Sequence, residues 1–330
     1  EATRYKSRYQ LDIAQGIVSQ NPVLGTTGGA VMAFSDMMGD DYLYLTILNT
    51  GTGTKSFLKD LSFQVARFKL NRRANYGYGM YRFSGRRYDV TEPDVPSGFP
   101  LFYETVYGGF GSMSYPLSKF TRLEMTTSLN WTSTDIAIRD LSRDALLLSN
   151  SISLVRDNAL YRMNGPIDGW RASFTAGYTS DVLYANVSYY TVMLDLRKYF
   201  RITRNITFAS WAMARINEGR EARLFVLGGS WDLRGFRWFD VRGQKMWFTS
   251  HELRFPLVNA PAVLVPILAP FGVASIRGTL FFDAAHAWNE DYYELRPEIR
   301  AGETVGAAGF GLRVNLFGAF VLRYDIGRRY

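Results

Sequence analysis

The chain has 330 residues, no cysteine and a formal net charge of +8. Hydrophobic residues make up 47% of it while the mean hydropathy is only −0.11, so apolar and polar residues must be finely interspersed along the sequence. The lack of cysteine excludes disulfides and thiolate metal sites, and no stretch offers the roughly 18 uncharged apolar residues that a membrane-spanning helix needs.

Short segments in which apolar and polar residues alternate run along most of the chain. In RLEMTTSLNW, for example, every second side chain from Leu123 to Trp131 is apolar or Thr, and those between them are polar. Alternation with a period of two predicts strands whose two faces meet different environments. Turn signals such as SDMMGDD at 35–41 separate the segments. The predicted strands lie near residues 9–18, 28–35, 41–49, 60–69, 75–83, 102–115, 122–131, 145–156, 170–178, 185–199, 205–216, 246–255, 276–288, 304–316 and 319–327.

The number and length of these strands favour a membrane protein. About fifteen strands of roughly 8–14 residues match tilted strands that cross a bilayer, whereas a soluble β-sandwich needs fewer and shorter ones. Aromatic residues near strand ends, such as Tyr42, Trp131 and Trp288, are typical of the two interfacial girdles of a barrel. Because no linker divides the chain, the sequence predicts an all-β protein in which residues 1–330 form one domain, a transmembrane antiparallel β-barrel.

The strands of the last quarter carry charges on only one of their two faces. Parity places the following side chains together on one face of four consecutive strands: Glu252, Arg254, Asp283, Arg313, Arg323 and Asp325. A Lys or Arg at mid-membrane on the lipid face of a barrel costs about 2–4 kcal/mol. The charged face is therefore predicted to line the lumen.

The longest loop predicted in the second half of the chain lies at 217–245. Its LRGF tetrapeptide comprises Leu233, Arg234, Gly235 and Phe236. If this loop folds back into the lumen, the Arg234 guanidinium can form a fork-shaped ion pair with Glu252 and Asp283. Gly235 then permits a sharp turn, and the aromatic residues pack the loop against the barrel wall. The alternative is an exposed Arg234 on a loop whose aromatic residues are unrelated to it.

Several motifs of the last hundred residues follow one another in the order and spacing of one protein family. They are LRGF at 233–236, ELRFP at 252–256, FFDAAHAW at 281–288, GFGLR at 309–313 and RYDIG at 323–327. In these motifs the chain resembles the outer-membrane barrels of the BamA/TamA superfamily, also called the bacterial surface antigen family. The resemblance implies a barrel of about sixteen strands in the outer membrane of a Gram-negative bacterium. It also implies that Arg234 is the latch of the lumen loop and that Glu252 and Asp283 are its partners.

The same resemblance implies a function in outer-membrane protein assembly, insertion or protein translocation. The expected partners are client or partner proteins of the envelope, outer-membrane lipids and lipopolysaccharide. The alternative is a structural or pore-forming barrel subunit that anchors a larger envelope complex. Family members carry periplasmic domains before the barrel and a further strand after the one matching 319–327, which closes on the first strand. This chain is expected to hold no periplasmic N-terminal domain, since nothing before Tyr9 is long enough to form one.

Other kinds of site find little support in the sequence. His251 and His286 are the two histidines, and parity places both on the lipid side, so no enzyme is predicted. The acidic pairs at 40–41 and 290–291 lie in predicted turns rather than in a ligand cluster, and GFGLR lacks the GK[ST] of a phosphate-binding loop. Neither a metal nor a cofactor is expected. The basic residues are scattered, which argues against a nucleic-acid partner.

One connection differs in composition from the others. The stretch from 256 to 273 is apolar and interrupted by several prolines. It is predicted to be a hairpin connection on the barrel rim or, alternatively, an element that docks at the membrane interface or on a partner.

Overall fold

The computed structural model of the protein describes residues 8–21, 25–49, 58–88, 101–136, 141–162, 165–237, 240–258, 263–264, 272–288, 303–316 and 320–330. Within these ranges the regular elements are all β-strands. No helix there is long and apolar enough to cross a membrane. The chain divides into two compact units, the first formed by Glu1–Ser153, Ala176–Tyr190 and Gly219–Ala222, the second by Leu154–Thr175, Thr191–Glu218 and Arg223–Tyr330.

In the first unit, consecutive strands pair antiparallel with their neighbours in the chain. They are β1 (Tyr9–Asn21), β2 (Gly25–Asp36), β3 (Asp41–Asn49), β4 (Leu61–Lys69), β5 (Asn75–Tyr88), β6 (Leu101–Pro116) and β7 (Thr121–Ile136). The next long strands, β8 (Leu141–Asp157) and β10 (Gly165–Asp181), have residues in both units. Pairing of each strand with the next one in the chain is the topology of a β-meander.

The second unit holds most of the remaining strands. They are β9 (Leu160–Arg162), β11 (Ser188–Arg201), β12 (Thr207–Arg220), β13 (Phe225–Leu227), β14 (Val241–Gly243), β15 (Lys245–Val258), β16 (Val263–Leu264), β17 (Gly272–Trp288), β18 (Val305–Leu316) and β19 (Phe320–Arg329). Antiparallel ladders join β12 to β15, β15 to β17, β17 to β18 and β18 to β19. The short strands pair as β9 with β10, β16 with β17 and β13 with β14.

Burial alternates along the strands of the second unit. In β17, Phe281 and Asp283 are 4% and 0% exposed, whereas the adjacent Leu280 and Phe282 are 50% and 49% exposed. A strand turns successive side chains to opposite faces, so one face of β17 is buried and partly charged while the other is apolar and open. The structure confirms the alternation that the sequence predicts.

The main buried cluster of the second unit lies where the segment between β13 and β14 packs on β12, β15 and β17. Its members are Met213, Leu227, Leu233, Val241, Met246, Phe248, Ala285 and Ala287, with Trp211, Phe225, Phe236 and Val305 packed against them. Strand residues of the buried face and loop residues therefore share one core. This core fixes the loop that carries Arg234.

The predicted loop at 217–245 contains more regular structure than the sequence indicates. Strand β12 continues to Arg220, and β13 and β14 pair as a two-stranded ribbon, so the described part of the loop between them begins with 228–237. The ribbon forms because Leu227 and Val241, 2% and 4% exposed, bury their apolar side chains in the shared core. Of the predicted connection at 256–273, most residues lie outside the described part of the chain.

Candidate functional site, the arginine loop

The segment that we call the arginine loop, residues 228–237, is a compact turn built by its own polar groups. The Asp232 carboxylate accepts hydrogen bonds from the backbone N–H groups of Gly228 and Leu233, at 3.0 and 2.7 Å. The N–H of Gly229 donates to the carbonyl of Phe236 at 2.9 Å, which closes the base of the turn. Burial raises the pKa of Asp232, and the N–H donors of Leu233 and Gly228 oppose that rise.

With Gly228 at +127° and Gly229 at +105°, Gly235 is one of three glycines in the turn that have a positive φ. Its φ is +84°, in the left-handed region that other residues adopt only with strain. The turn made there presents Arg234 and Leu233, 3% and 0% exposed, to the buried face of the neighbouring strands. The tetrapeptide sequence thus sets the direction of the arginine.

Arg234 and Asp283 form the centre of the site. Nε of Arg234 donates to Oδ2 of Asp283 at 2.6 Å, and Nη2 donates to Oδ1 at 2.5 Å, so both carboxylate oxygens accept the guanidinium fork. The backbone N–H of Arg234 adds a weaker bond to Oδ2 at 3.3 Å. Asp283 is 0% exposed. Since burying a charge is costly unless it is paired and hydrogen-bonded, each group requires the other.

Strand β15 supplies the remaining partners of the guanidinium. Nη1 of Arg234 donates to Oε1 of Glu252 at 2.6 Å, and Nη2 donates to the hydroxyl of Ser250 at 2.9 Å. Ser250 lies directly opposite Asp283 in the β15–β17 register, which explains why one guanidinium reaches both strands. The second oxygen of Glu252 accepts from Nε of Arg254 at 2.7 Å. The two arginines and the two carboxylates of this group balance in charge.

Phe281 forms the floor beneath the guanidinium. The Arg234 Cζ lies 3.8 Å from the centroid of the Phe281 ring, a close cation–π contact. The ring has room because Gly309 and Gly327 face it; a Cβ atom there would lie 2.8 and 2.9 Å from its Cζ. Gly309 of GFGLR and Gly327 of RYDIG therefore make space for the ring that supports Arg234.

The last strand also holds the loop. Nε of Arg329, in β19, donates to the carbonyl oxygen of Gly235. Its guanidinium lies 5.1 Å from the centroid of the Phe236 ring. Backbone and side chain of the LRGF sequence are thus both bound by a residue that lies 94 positions further along the chain.

The remaining charged residues named in the sequence analysis form a second group. Nη1 of Arg313 donates to one oxygen of Asp325 and Nε of Arg323 to the other, each at 2.7 Å. Gly311 leaves the space that the Asp325 carboxylate and the Arg313 guanidinium occupy. Arg323 also lies 5.7 Å from the ring centroid of Trp231 in the arginine loop. This second group adjoins the first without an ion pair between them among the described residues.

The sequence predicts Arg234, Glu252 and Asp283 as site residues, but it does not predict three of their neighbours. Ser250, Phe281 and Arg329 are not among the predicted site residues. A signal exists for Ser250 and Phe281, since both share the parity of the predicted carboxylates. None exists for Arg329, because its contact depends on the fold of the loop.

The described residues hold no group of three or more His, Asp or Glu side chains arranged to bind a metal ion. His251 stacks on Phe208 at 6.1 Å and contacts the hydroxyl of Thr249. His286 stacks on Trp247 at 6.3 Å. Both rings are thus engaged with aromatic neighbours. The arrangement around Arg234 can hold a loop, and its contacts are those of an ion-pair clamp.

Long antiparallel strands with one apolar open face and one buried, charged face define an outer-membrane β-barrel protein. The chain matches the Omp85 superfamily domain over residues 46–327. It belongs to that superfamily. Its proteins are integral barrels of the outer membrane of Gram-negative bacteria that insert or translocate proteins together with client or partner proteins, and they are assembly or translocation proteins rather than enzymes.

Solved structures share the fold at low sequence identity. BamA from Haemophilus ducreyi lacking POTRA domains 1–3 matches with a TM-score of 0.68 and 14% identity, over 98% of this chain and 71% of that one. CdiB from Escherichia coli matches with a TM-score of 0.58 and 13% identity, over 100% and 60%. CdiB from Acinetobacter baumannii gives 0.54 and 13%, over 96% and 59%. Among curated proteins, none matches the sequence. These likenesses identify the fold as that of the BamA barrel.

Proposed function

We propose that the chain is a BamA/TamA-type barrel, a single domain that assembles or inserts other outer-membrane proteins. The observation that carries this proposal is the buried Arg234, held by Asp283 and Glu252. The paired guanidinium ties the loop to neighbouring strands of the wall, and in this proposal it keeps that part of the wall rigid while another part yields. The clamp binds β15, β17 and, through Arg329, β19.

In this mechanism Arg234 is the latch of the arginine loop, with Gly235 and Phe236 shaping it and Glu252 and Asp283 as its partners. The latch keeps the C-terminal strands as one stiff body. A client strand adds to the sheet by backbone pairing, as in other cases of β-augmentation. We place that event at β1, which pairs with β2 along one of its edges.

The partners follow from this mechanism. Client proteins are unfolded outer-membrane chains whose strands pair one at a time. Outer-membrane lipids and lipopolysaccharide cover the apolar outer face of the strands, where Leu280, Phe282 and Tyr324 are about half exposed or more, at 50%, 49% and 66%. No cofactor takes part, because strand addition uses backbone hydrogen bonds alone.

A client-folding assay tests the proposal. The chain is reconstituted in lipid vesicles, an unfolded outer-membrane barrel protein is added, and its folding is followed by the altered gel mobility of folded barrels. Folding is expected to be faster than in empty vesicles, and Arg234→Ala is expected to remove most of that acceleration. The matched control is Arg122→Ala, since Arg122 forms an exposed pair with Glu124 that is remote from the latch in the chain.

Two results would contradict the proposal. One is a folding rate equal to that of empty vesicles, measured with wild-type protein that is itself folded. The other is an equal acceleration by the wild type and Arg234→Ala. A large, stable conductance in planar bilayers without client folding would instead favour the alternative, a pore-forming or anchoring barrel.

A further inference from the structure

A row of like charges crosses three neighbouring strands of the second unit. Arg277 of β17 lies directly opposite Arg313 of β18, and Arg313 lies directly opposite Arg323 of β19. We call these three residues the arginine row. Like charges that face each other across strands are destabilising. Their placement therefore calls for a compensating negative group.

The arginine row lines a partly enclosed cavity of about 210 Å³. That volume corresponds to about seven water molecules at the ~30 Å³ that each takes in the liquid. Further side chains of its wall include Glu252, Arg254 and Thr279. Each of the four strands β15, β17, β18 and β19 thus contributes one arginine to the cavity wall.

The carboxylates near the cavity are fewer than its arginines. Four arginines line it, whereas two carboxylates are paired with them: Glu252 with Arg254, and Asp325 with Arg313 and Arg323. Glu252 is also shared with Arg234 of the latch. The positive charge of the wall is therefore only partly balanced by the protein.

Two of the guanidinium groups have N–H donors available for a bound anion. Nη2 of Arg313 is buried and has no hydrogen-bond partner among the described residues. Arg277 donates through Nη2 to the backbone carbonyl of Asn205 at 2.9 Å, and in the part of the chain that the structure describes no carboxylate pairs with it. A buried N–H group without an acceptor carries a desolvation cost, so an acceptor bound next to Arg313 would remove that cost.

We propose that this cavity binds a phosphate-type oxyanion, either free phosphate or the phosphate of a lipid headgroup. Guanidinium forks recognise phosphate through paired N–H donors, and several arginines from different directions suit a tetrahedral group with acceptors on all sides. A dianion placed between Arg277 and Arg313 neutralises the arginine row. The site adjoins the latch through Glu252, but the Arg234 guanidinium is already paired with Asp283.

Calorimetric titration of inorganic phosphate into the purified chain in detergent micelles tests the site, with sodium chloride of equal ionic strength as the blank. We expect saturable binding of one phosphate per chain. Arg277→Gln is expected to weaken it at least tenfold, and Arg277→Lys, which keeps the charge but loses the fork, by a smaller factor. Arg122→Gln is the matched control, because it removes the same charge outside the cavity; it is expected to bind as the wild type does.

The outcomes separate the two sources of phosphate. Short-chain phosphatidic acid or phosphatidylcholine is added to the micelles. Displacement of inorganic phosphate by phosphatidic acid but not by phosphatidylcholine supports a lipid headgroup as the ligand. Phosphate binding without such displacement supports a soluble anion. Two results overturn the proposal. One is a heat of titration no larger than that of the chloride blank, and the other is equal phosphate binding by the wild type and Arg277→Gln. Gel mobility verifies that each variant is folded, and Arg323→Gln replaces Arg277→Gln if the latter does not fold.

Discussion

Arg234 directs all three guanidinium nitrogens at acceptors, on Asp283, Glu252 and Ser250. An intact buried ion pair contributes modest net stability, but removal of one partner leaves an uncompensated buried charge and costs about 3–5 kcal/mol. Because Asp283 is 0% exposed, water cannot replace the guanidinium while the loop stays in place. Release of the loop would therefore leave both charges without their partners, which opposes its movement away from the strands.

The left-handed backbone at Gly235 makes this position sensitive to substitution. We expect Gly235→Ala to weaken loop docking by about 1–2 kcal/mol, the cost of a Cβ atom in this conformation. Space is not the obstacle, since the nearest atoms would lie 3.5 and 3.6 Å away, on Arg329 and Ala307. The rate of trypsin cleavage at the exposed Arg237 measures docking and should rise about 5- to 30-fold.

Gly111→Ala is the control for this experiment. The added Cβ would lie 3.7 Å from the nearest atom, on Thr127, in ordinary strand conformation. Its cleavage rate should equal that of the wild type. Equal rates for Gly235→Ala and Gly111→Ala would mean that the turn does not depend on the glycine.

Asp232 gives the loop a pH dependence. Burial raises its pKa above the ordinary value of 3.8, so folding favours the protonated form. The stability from this group is fully present below pH 3.8 and is lost as the pH rises through the raised pKa. We expect Asp232→Asn, which keeps the acceptor oxygen without the charge, to match the wild-type melting temperature at pH 3.5 and to exceed it at pH 7.5. A difference that shrinks as the pH rises would contradict the assignment.

At the scale of elements, the hairpin of β18 and β19 is shaped by its missing side chains. A Cβ on Gly309 would meet the carbonyl oxygen of Ile326, the Cα of Gly327 at 2.6 Å and the ring of Phe281 at 2.8 Å. Two of these obstacles are backbone atoms, which cannot move away by a change of rotamer as a side chain can. The spacing of β18 from β19 and the position of the Phe281 ring thus depend on the same glycine.

We therefore expect Gly309→Ala to destabilise the protein by about 1–3 kcal/mol, the usual range for overpacking. Thermal unfolding of the reconstituted chain measures this, with Gly111→Ala as the reference for a glycine that has room. The melting temperature should fall for Gly309→Ala and stay within error for Gly111→Ala. Two equal melting temperatures would show that the hairpin adapts to the Cβ.

The strands and their faces were predictable because each depends on local alternation. The fifteen predicted segments correspond to the long strands of the described chain, from the 9 residues of β3 to the 17 of β17. Parity alone also placed Glu252 and Asp283 on one face. Their closeness follows from the β15–β17 register, where Ser250 faces Asp283 and Glu252 faces Phe281. Register depends on pairing between strands, which no single segment encodes.

The rest was not predictable for related reasons. The ribbon of β13 and β14 rests on strands of three residues, too short for alternation to be recognised. The contact of Arg329 with the carbonyl of Gly235 joins a strand end to a folded loop. The alignment of Arg277 with Arg313 needs the register of β17 with β18. Each of these features depends on tertiary structure.

At the scale of the whole molecule, the membrane sets the cost of an outward charge. Leu280 lies at the middle of β17 on the open apolar face, 50% exposed. We expect Leu280→Arg to destabilise the protein in lipid vesicles by about 2–4 kcal/mol, seen as a lower urea midpoint of unfolding. The same change at Leu70, which lies in the turn after β4 and is 43% exposed, should leave the midpoint unchanged. Equal midpoints for both variants would argue against a lipid-facing Leu280.

The lack of native cysteine allows the central claim, that Arg234 and Asp283 hold the loop on the buried face, to be tested by labelling a single introduced thiol. Leu233 is 0% exposed and Trp231, two residues away in the same loop, is 75% exposed. A water-soluble maleimide should label Trp231→Cys rapidly in every background. It should label Leu233→Cys slowly, and at least tenfold faster when Asp283→Ala is added. Labelling of Leu233→Cys at one and the same rate with and without Asp283 would contradict the latch.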